Sequence, residues 1–269
     1  MAYLEQEGGF AFDPAALVGE VREALKAVTE LDPLWMHGVV HPGGPHYRLE
    51  GTLGPVSFGE DECVVLGHYI MEFSPANCFI IGNAFGMSSV YIAKAMESCG
   101  GRSVITLDNK SEGDGERCAR VAEDLRKRTN ARLLENHYGR SPDDIMRATG
   151  GEKFDLVLVD GLHAHPQVTE DYHGLKDVLH DKSVICWHDY WLAGVPESVA
   201  AAESDGFLCT KVNCSGELVF GTRDQAVFDR ILRLFPNSEA PLKRTRYAAL
   251  ALLYVGLLKA GLRRRLSLR

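Results

Sequence analysis

The sequence predicts an α/β protein built on a mainly parallel, doubly wound sheet. Between residues 60 and 224, five short apolar runs alternate with stretches patterned as helices, the rhythm of strand–crossover–strand units. The runs are apolar on both faces, as strands covered by helices on both sides must be. The alternation then ends in two strands, 207–213 and 217–222, joined by a short link of Cys214, Ser215 and Gly216. Together these predict a seven-stranded sheet with an antiparallel last strand, an N-terminal helical segment and C-terminal helices.

The elements follow in order. Residues 13–32 read as a helix, with Asp13 as N-cap and Pro14 at the first helical position. A Gly/Pro/His-rich stretch follows to residue 59. It carries His37, His41 and His46 at irregular spacings that form no metal set and fit a surface loop or lid. Strands are expected at 78–82, 103–108, 131–136, 154–160 and 183–189, and helices at 87–99, 112–128, 142–149, 166–179 and 196–204. The expected division is residues 1–59 for the N-terminal helix and substrate segment, 60–224 for the core domain, and 225–269 for a helical extension with a basic tail.

Composition bounds the function. The 269-residue chain is 45% apolar and 25% charged, ordinary for a globular protein. Its seven scattered cysteines form no CxxC pair, so neither a disulfide framework nor a zinc ribbon is suggested. The first residues show neither a basic start nor an apolar run, and a reducing cytoplasm is expected. Eight basic and no acidic residues follow Glu239, leaving the preceding residues at −16 against a chain total of −8. An acidic body argues against nucleic-acid binding. The apolar stretch 247–258, followed by three arginines at 263–265, is too short to span a bilayer. A helix packed on the core, a dimer interface in a homo-oligomer, and a peripheral membrane anchor with a basic rim remain open for it.

In an open parallel sheet, ligands bind beyond the carboxyl ends of the strands. The first strand runs into Gly82-Asn83-Ala84-Phe85-Gly86 and a helix opening at Met87-Ser88-Ser89. That arrangement brings backbone and helix N–H groups close to a ligand. The second strand ends in Asp108, followed by Asn109; its carboxylate suits the two hydroxyls of an adenosine ribose. Asn136 and His137 then stand where an adenine would lie. On the residues alone, a dinucleotide and S-adenosylmethionine both fit.

The segments IIGNAFGMSS, VITLD, FDLVLVDGLHAHPQVTEDY and VICWHDYW, in this order, resemble the class I S-adenosylmethionine-dependent methyltransferases. Within these, the chain is similar to the divalent-metal-dependent O-methyltransferases of natural-product sugar tailoring, the macrocin O-methyltransferase type. The resemblance spans roughly residues 78–191 and implies a Rossmann-like fold. It further implies S-adenosylmethionine as cofactor, held by Gly82, Asn83, Ala84, Gly86, Ser89, Asp108, Asn109, Asn136, His137 and Asp160. The expected substrate is a hydroxyl of a small molecule or glycosyl group. Two departures stand out: Ile80 replaces the acid usual two places before the first glycine, and Ala84 replaces the middle glycine.

Asp160 and Asp189 end neighbouring strands, and two carboxylates with open positions suit Mg²⁺. His188 occupies the place of a third, acidic ligand in the resembled enzymes; as a ligand it would favour Mn²⁺ or another transition metal. His163, three residues after Asp160, matches the family's general base and has the right chemistry to accept a hydroxyl proton. Two other readings accompany this one. Asp108 also fits a nicotinamide-dependent oxidoreductase, although no Tyr-x-x-x-Lys dyad follows the core; Ile80 and the altered loop fit a non-catalytic protein that kept the fold.

Overall fold

Parallel neighbours cannot be joined by tight hairpins, so the chain must return over the sheet faces between strands. The computed structural model describes residues 12–29, 34–35, 56–110, 115–192 and 194–239. The three histidines at 37, 41 and 46 and the apolar and basic tail lie outside the described residues.

Helix α1 (Pro14–Thr29) opens on Asp13, whose Oδ1 accepts from the N–H groups of Ala15 and Ala16. Two-residue strands β1 (Leu34–Trp35) and β2 (Val56–Ser57) pair in parallel before α2 (Glu60–Phe73). The core alternation then runs β3 (Asn77–Ile81), α3 (Met87–Ser98), β4 (Ser103–Asp108), α4 (Gly115–Arg128), β5 (Leu134–Tyr138) and α5 (Ile145–Thr149). It continues through β6 (Phe154–Val159), α6 (Gln167–Gly174), the 3-10 turn Leu175–Val178, β7 (Leu179–Trp187) and α7 (Val195–Ser204). Strands β8 (Leu208–Val212) and β9 (Leu218–Thr222) and helix α8 (Gln225–Leu234) close the described fold.

The seven strands lie in the order β5-β4-β3-β6-β7-β9-β8. All neighbours are parallel except β9, which inserts between β7 and β8 and runs antiparallel to both. The expected seven-stranded Rossmann-like sheet with an antiparallel last strand is thus the observed one. Alternation within each strand sends residues to two separate cores. Cys78 and Ile80 face a cluster that includes Leu17 and Leu25 of α1, Leu66 and Ile70 of α2, Ile92 of α3 and Leu125 of α4. Phe79 and Ile81 face the other, with Ile145 of α5, Tyr172 of α6 and Val199 of α7.

Boundaries differ from expectation in physically simple ways. β5 runs to Tyr138 because its ladder with β4 continues through Leu107↔His137 and Asp108↔Tyr138, so His137 is a strand residue and not a loop residue. The stretch 142–144 is turn, leaving α5 only Ile145–Thr149. Helix α2 was not among the expected elements. Its signal is Glu60, Asp61 and Glu62 in the first turn, favourable at a helix N-terminus, followed by Cys63, Leu66, Ile70 and Phe73 at helical spacing.

At the amino end of the sheet, Asp155 of β6 fastens three segments. Its Oδ2 accepts from Ala76 N (2.8 Å) and Asn77 N (3.0 Å), and its Oδ1 lies 3.1 Å from His180 Nε2. Asp155→Ala strands two backbone donors and is expected to cost about 2 kcal/mol, read as a lowered urea midpoint at unchanged slope.

Candidate active site

The parallel register places the functional residues one step beyond their strands. Gly82 N donates to Leu107 O, Asp160 N to Ile81 O, and His188 N to Val159 O, so the ladder carries on into the loops. Gly82, Asp160 and His188 are therefore held at one level along the sheet edge, with Asp108 beside them at the end of β4.

A small cavity opens there, at the carboxyl ends of β3, β4 and β6. Of the expected cofactor residues, Gly82, Asn83, Ala84, Asp108, Asn109 and Asp160 line it. Asp108 does more than face the cavity: its Oδ2 accepts from Asn83 N (2.8 Å) and Ala84 N (3.0 Å), and its Oδ1 from Lys110 N (2.6 Å). The carboxylate thus pins the loop: Oδ2 is saturated by two donors, while Oδ1 keeps one lone pair for another. Gly82 has φ 90°, and a Cβ there would sit 2.1 Å from Asp160 O, so only glycine lets the two strand ends meet.

The other expected residues act from beneath. Ser89 Oγ donates to Asn83 Oδ1 (2.6 Å), Asn83 Nδ2 to Asn136 Oδ1 (3.1 Å), and Thr106 Oγ1 to the same Asn136 oxygen (3.0 Å). This network fixes the Asn83 side chain. Gly86 caps α3 at φ 82°, with Ala122 of α4 packed against it. His137 pairs with Glu135 at 2.8 Å, away from the cavity lining. Ile80, at the position where an acid is usual, is fully buried in the apolar core. Residues outside the expected set complete the wall, including Ser141, Leu162, Gln167 and the buried Asp171. Gln167 Nε2 donates to Ser141 O and to Asp171 Oδ1, joining the turn after β5 to α6.

Asp160 is shared between this cavity and a second, buried cluster. His188 lies with Nδ1 2.7 Å from Asp160 Oδ1 and Nε2 3.1 Å from Glu62 Oε1. Burial alone would lower its pKa, but Asp189, Glu62 and Asp160 together outweigh that and hold it well above the usual imidazole range. Burial raises the pKa values of Asp160 and Asp189, with His188 opposing in both. His163 Nε2 is 3.7 Å from Asp160 Oδ1, and its Nδ1 is 3.9 Å from Asp189 Oδ2. These are too long for hydrogen bonds, and among the described residues Nε2 is buried without a partner. Burial pushes the His163 pKa down to about 4, so the ring is neutral at neutral pH.

Asp189 itself sits at φ 55°, the left-handed region, and Trp191 Nε1 donates to its Oδ1 at 3.0 Å. A strained backbone held by its surroundings is characteristic of functional positions. The structure therefore brings Asp160, His163, His188 and Asp189 together as expected and adds Glu62 of α2. That residue was missed because it stands far from the others in sequence, on a helix that was itself missed.

Residues 79–190 match the family model of a methyltransferase domain. The fold is similar to that of an O-methyltransferase from Bacillus cereus in complex with SAH (16% identity, 77% of this chain and 90% of that chain, TM-score 0.52). It is also similar to the O-methyltransferase TomG from Streptomyces achromogenes, involved in tomaymycin synthesis, in complex with SAM (15% identity, 82% and 92%, TM-score 0.54). A third likeness is the SAH-bound methyltransferase PaMTH1 of Podospora anserina (13% identity, 82% and 100%, TM-score 0.52). Comparison with curated proteins found no match. Residues 79–190, the stretch that the methyltransferase-domain model matches, carry strands β3 to β7 of this Rossmann-like sheet.

Ala84, where the motif has glycine, is held at φ 41°. Ala84→Gly removes a left-handed Cβ and is expected to stabilise by about 1 kcal/mol, seen as a rise in melting temperature of roughly 3 °C.

Proposed function

We propose that the chain is an S-adenosylmethionine-dependent O-methyltransferase acting on a hydroxyl of a small molecule or glycosyl group, assisted by a divalent cation. One observation carries this reading. Asp160 forms both a wall of the cavity bounded by the Asp108-pinned loop and an edge of the buried cluster containing His163 and Asp189. A cofactor site and a proton-accepting site thus share one residue.

The cofactor, when bound, supplies a methyl group already activated by a positive sulfur. Asp108 Oδ1 retains acceptor capacity for one ribose hydroxyl, and the loop after β3 presents backbone to the ligand at Gly82 and Ala84. Ile80 lies in the core, so no acid reaches the ligand from that position. Asn83, tethered by Ser89 and Asn136, is the polar side chain the loop offers instead.

The donor set also fits a divalent cation. Glu62, Asp160 and Asp189 bring three carboxylates together against the single protonated imidazole of His188, leaving an excess of negative charge in a buried place. Among the described residues, two groups have donor atoms close enough to hold an ion: Asp160 with His163 and His188, and Glu62 with His188 and Asp189. Because both nitrogens of His188 are directed at carboxylates, the ligands we propose from them are Asp160 and Asp189, whose oxygens suit Mg²⁺. Such an ion would polarise the acceptor hydroxyl and lower its pKa.

His163 then serves as general base. The acceptor oxygen bonds to the methyl carbon as the carbon–sulfur bond breaks, and the hydroxyl proton passes to the free Nε2 of His163. The neutral ring is in the form that can take it. The rest of the protein's contribution is alignment of these groups.

Titration calorimetry is expected to show binding of S-adenosylmethionine and none of NAD. NAD binding alone would sink the reading in favour of an oxidoreductase, and binding of neither would favour a non-catalytic protein. With a panel of hydroxyl acceptors, His163→Ala is expected to lower methyl transfer by roughly 10²–10⁴-fold while leaving cofactor affinity intact. Undiminished turnover in that variant would remove His163 from the mechanism.

A further inference from the structure

We propose that Glu62 is a positioning residue of this site. Through His188 it holds the Asp160 carboxylate, in a relay Glu62–His188–Asp160 that enters from outside the matched segment 79–190. The relay itself rests on geometry; its consequence for a cation rests on the function proposed above.

An acid at the third position of a helix has an ordinary use, which is to cap the N-terminus. Glu62 does this with one oxygen only: Oε2 accepts from Gly59 N. Capping needs no burial, yet Glu62 is 0% exposed, and a carboxylate withdrawn from water requires strong partners. Its other oxygen finds one in His188 Nε2 at 3.1 Å, while the opposite edge of the same ring meets Asp160 Oδ1 at 2.7 Å. A carboxylate on each ring nitrogen gives the imidazole a single orientation, and the ring in turn fixes one oxygen of Asp160.

The surroundings are built to the same end. Phe58 stacks on the His188 ring with centroids 4.0 Å apart and planes 20° apart. A Cβ on Gly216, in the turn between β8 and β9, would lie 1.8 Å from Glu62 Oε1 and 2.5 Å from His188 Nε2. Gly216 lies outside the positive-φ set, so glycine is required there for space. Asp61 completes the clamp, accepting from Ser215 N at 2.8 Å and from Ser215 Oγ. Segments on either side of the methyltransferase match thus close over one ring.

Carboxylates that bind cations are commonly oriented by such outer partners, whose loss costs about 10–100-fold in metal affinity. The test uses the full chain with Mn²⁺ as probe, comparing wild type, Glu62→Gln and Glu62→Ala. Mn²⁺ affinity is measured by electron paramagnetic resonance, S-adenosylmethionine affinity by calorimetry, and the His188 ring N–H groups by ¹⁵N–¹H spectroscopy. Glu62→Gln is expected to weaken Mn²⁺ about 10–100-fold while changing cofactor affinity less than about 3-fold. Glu62→Ala is expected to shift the ring signals of His188, because the ring loses the carboxylate at its Nε2. Unchanged Mn²⁺ affinity with unmoved ring signals overturns the proposal. Equal loss of Mn²⁺ and cofactor binding in Glu62→Gln also overturns it, because that pattern marks a structural role alone. If wild type binds no Mn²⁺, the cation reading fails separately. The ring spectra then decide: His188 ring signals that move in Glu62→Ala sustain the relay, and signals that stay in place end it.

Discussion

The parallel ladder between β4, β3, β6 and β7 does not stop where the strands do. The first residue past each strand still donates its N–H to a carbonyl at or next to the end of a neighbour: Gly82 to Leu107, Asp160 to Ile81, His188 to Val159. Because these bonds join adjacent strand ends in series, the level of each loop is set by the strand beside it. The cavity and the buried cluster inherit their positions from this register. A shift of one residue anywhere along it would turn an inward carboxylate to the opposite face. The close meeting of Gly82 with Asp160 O is the tightest point of the chain of contacts, which is why a residue without a Cβ stands there.

Electrostatics takes over where the ladder ends. Glu62, Asp160 and Asp189 would repel one another in a buried place, and His188 sits among them as the nearest compensating charge. His163, a few ångströms away, is subject mainly to burial and goes the other way, to the neutral form. Two histidines 5.9 Å apart between their ring centroids are thereby driven to opposite states. The difference lies in their partners: one ring is gripped at both nitrogens, while the other has a buried nitrogen with nothing to bond among the described residues.

The parts of the site that were legible in the sequence are those where strand, turn and helix follow one another closely. Apolar runs ending in Gly82, Asp108, Asp160 and Asp189 marked both the sheet and the edge at which the cavity opens. Asp108 was read as a ribose acceptor, and its second task of pinning the loop through Asn83 N and Ala84 N is a backbone contact that side-chain patterns do not announce. Asn136 and His137 looked alike as polar residues ending a strand; continued pairing with β4 sends one under the loop and the other away from it. Glu62 was illegible for a different reason. Three consecutive acids before an apolar run announce a helix start, and nothing local distinguishes the one that turns inward. Only the contact with His188, 126 residues away, does so.

The roof over His188 bears on what counts as the unit of this protein. Phe58 and Glu62 precede the segment recognisable as a methyltransferase domain, and Gly216 follows it. A polypeptide trimmed to residues 79–190 would keep the glycine loop, Asp108 and Asp160, yet leave the imidazole open on the sides these residues cover. Transplanting that segment into another scaffold would carry over the place where a cofactor can sit without the surroundings that govern its neighbouring charges. The recognisable segment and the buried cluster therefore have different borders: the first ends at residue 190, while the second takes its walls from residues on both sides of it.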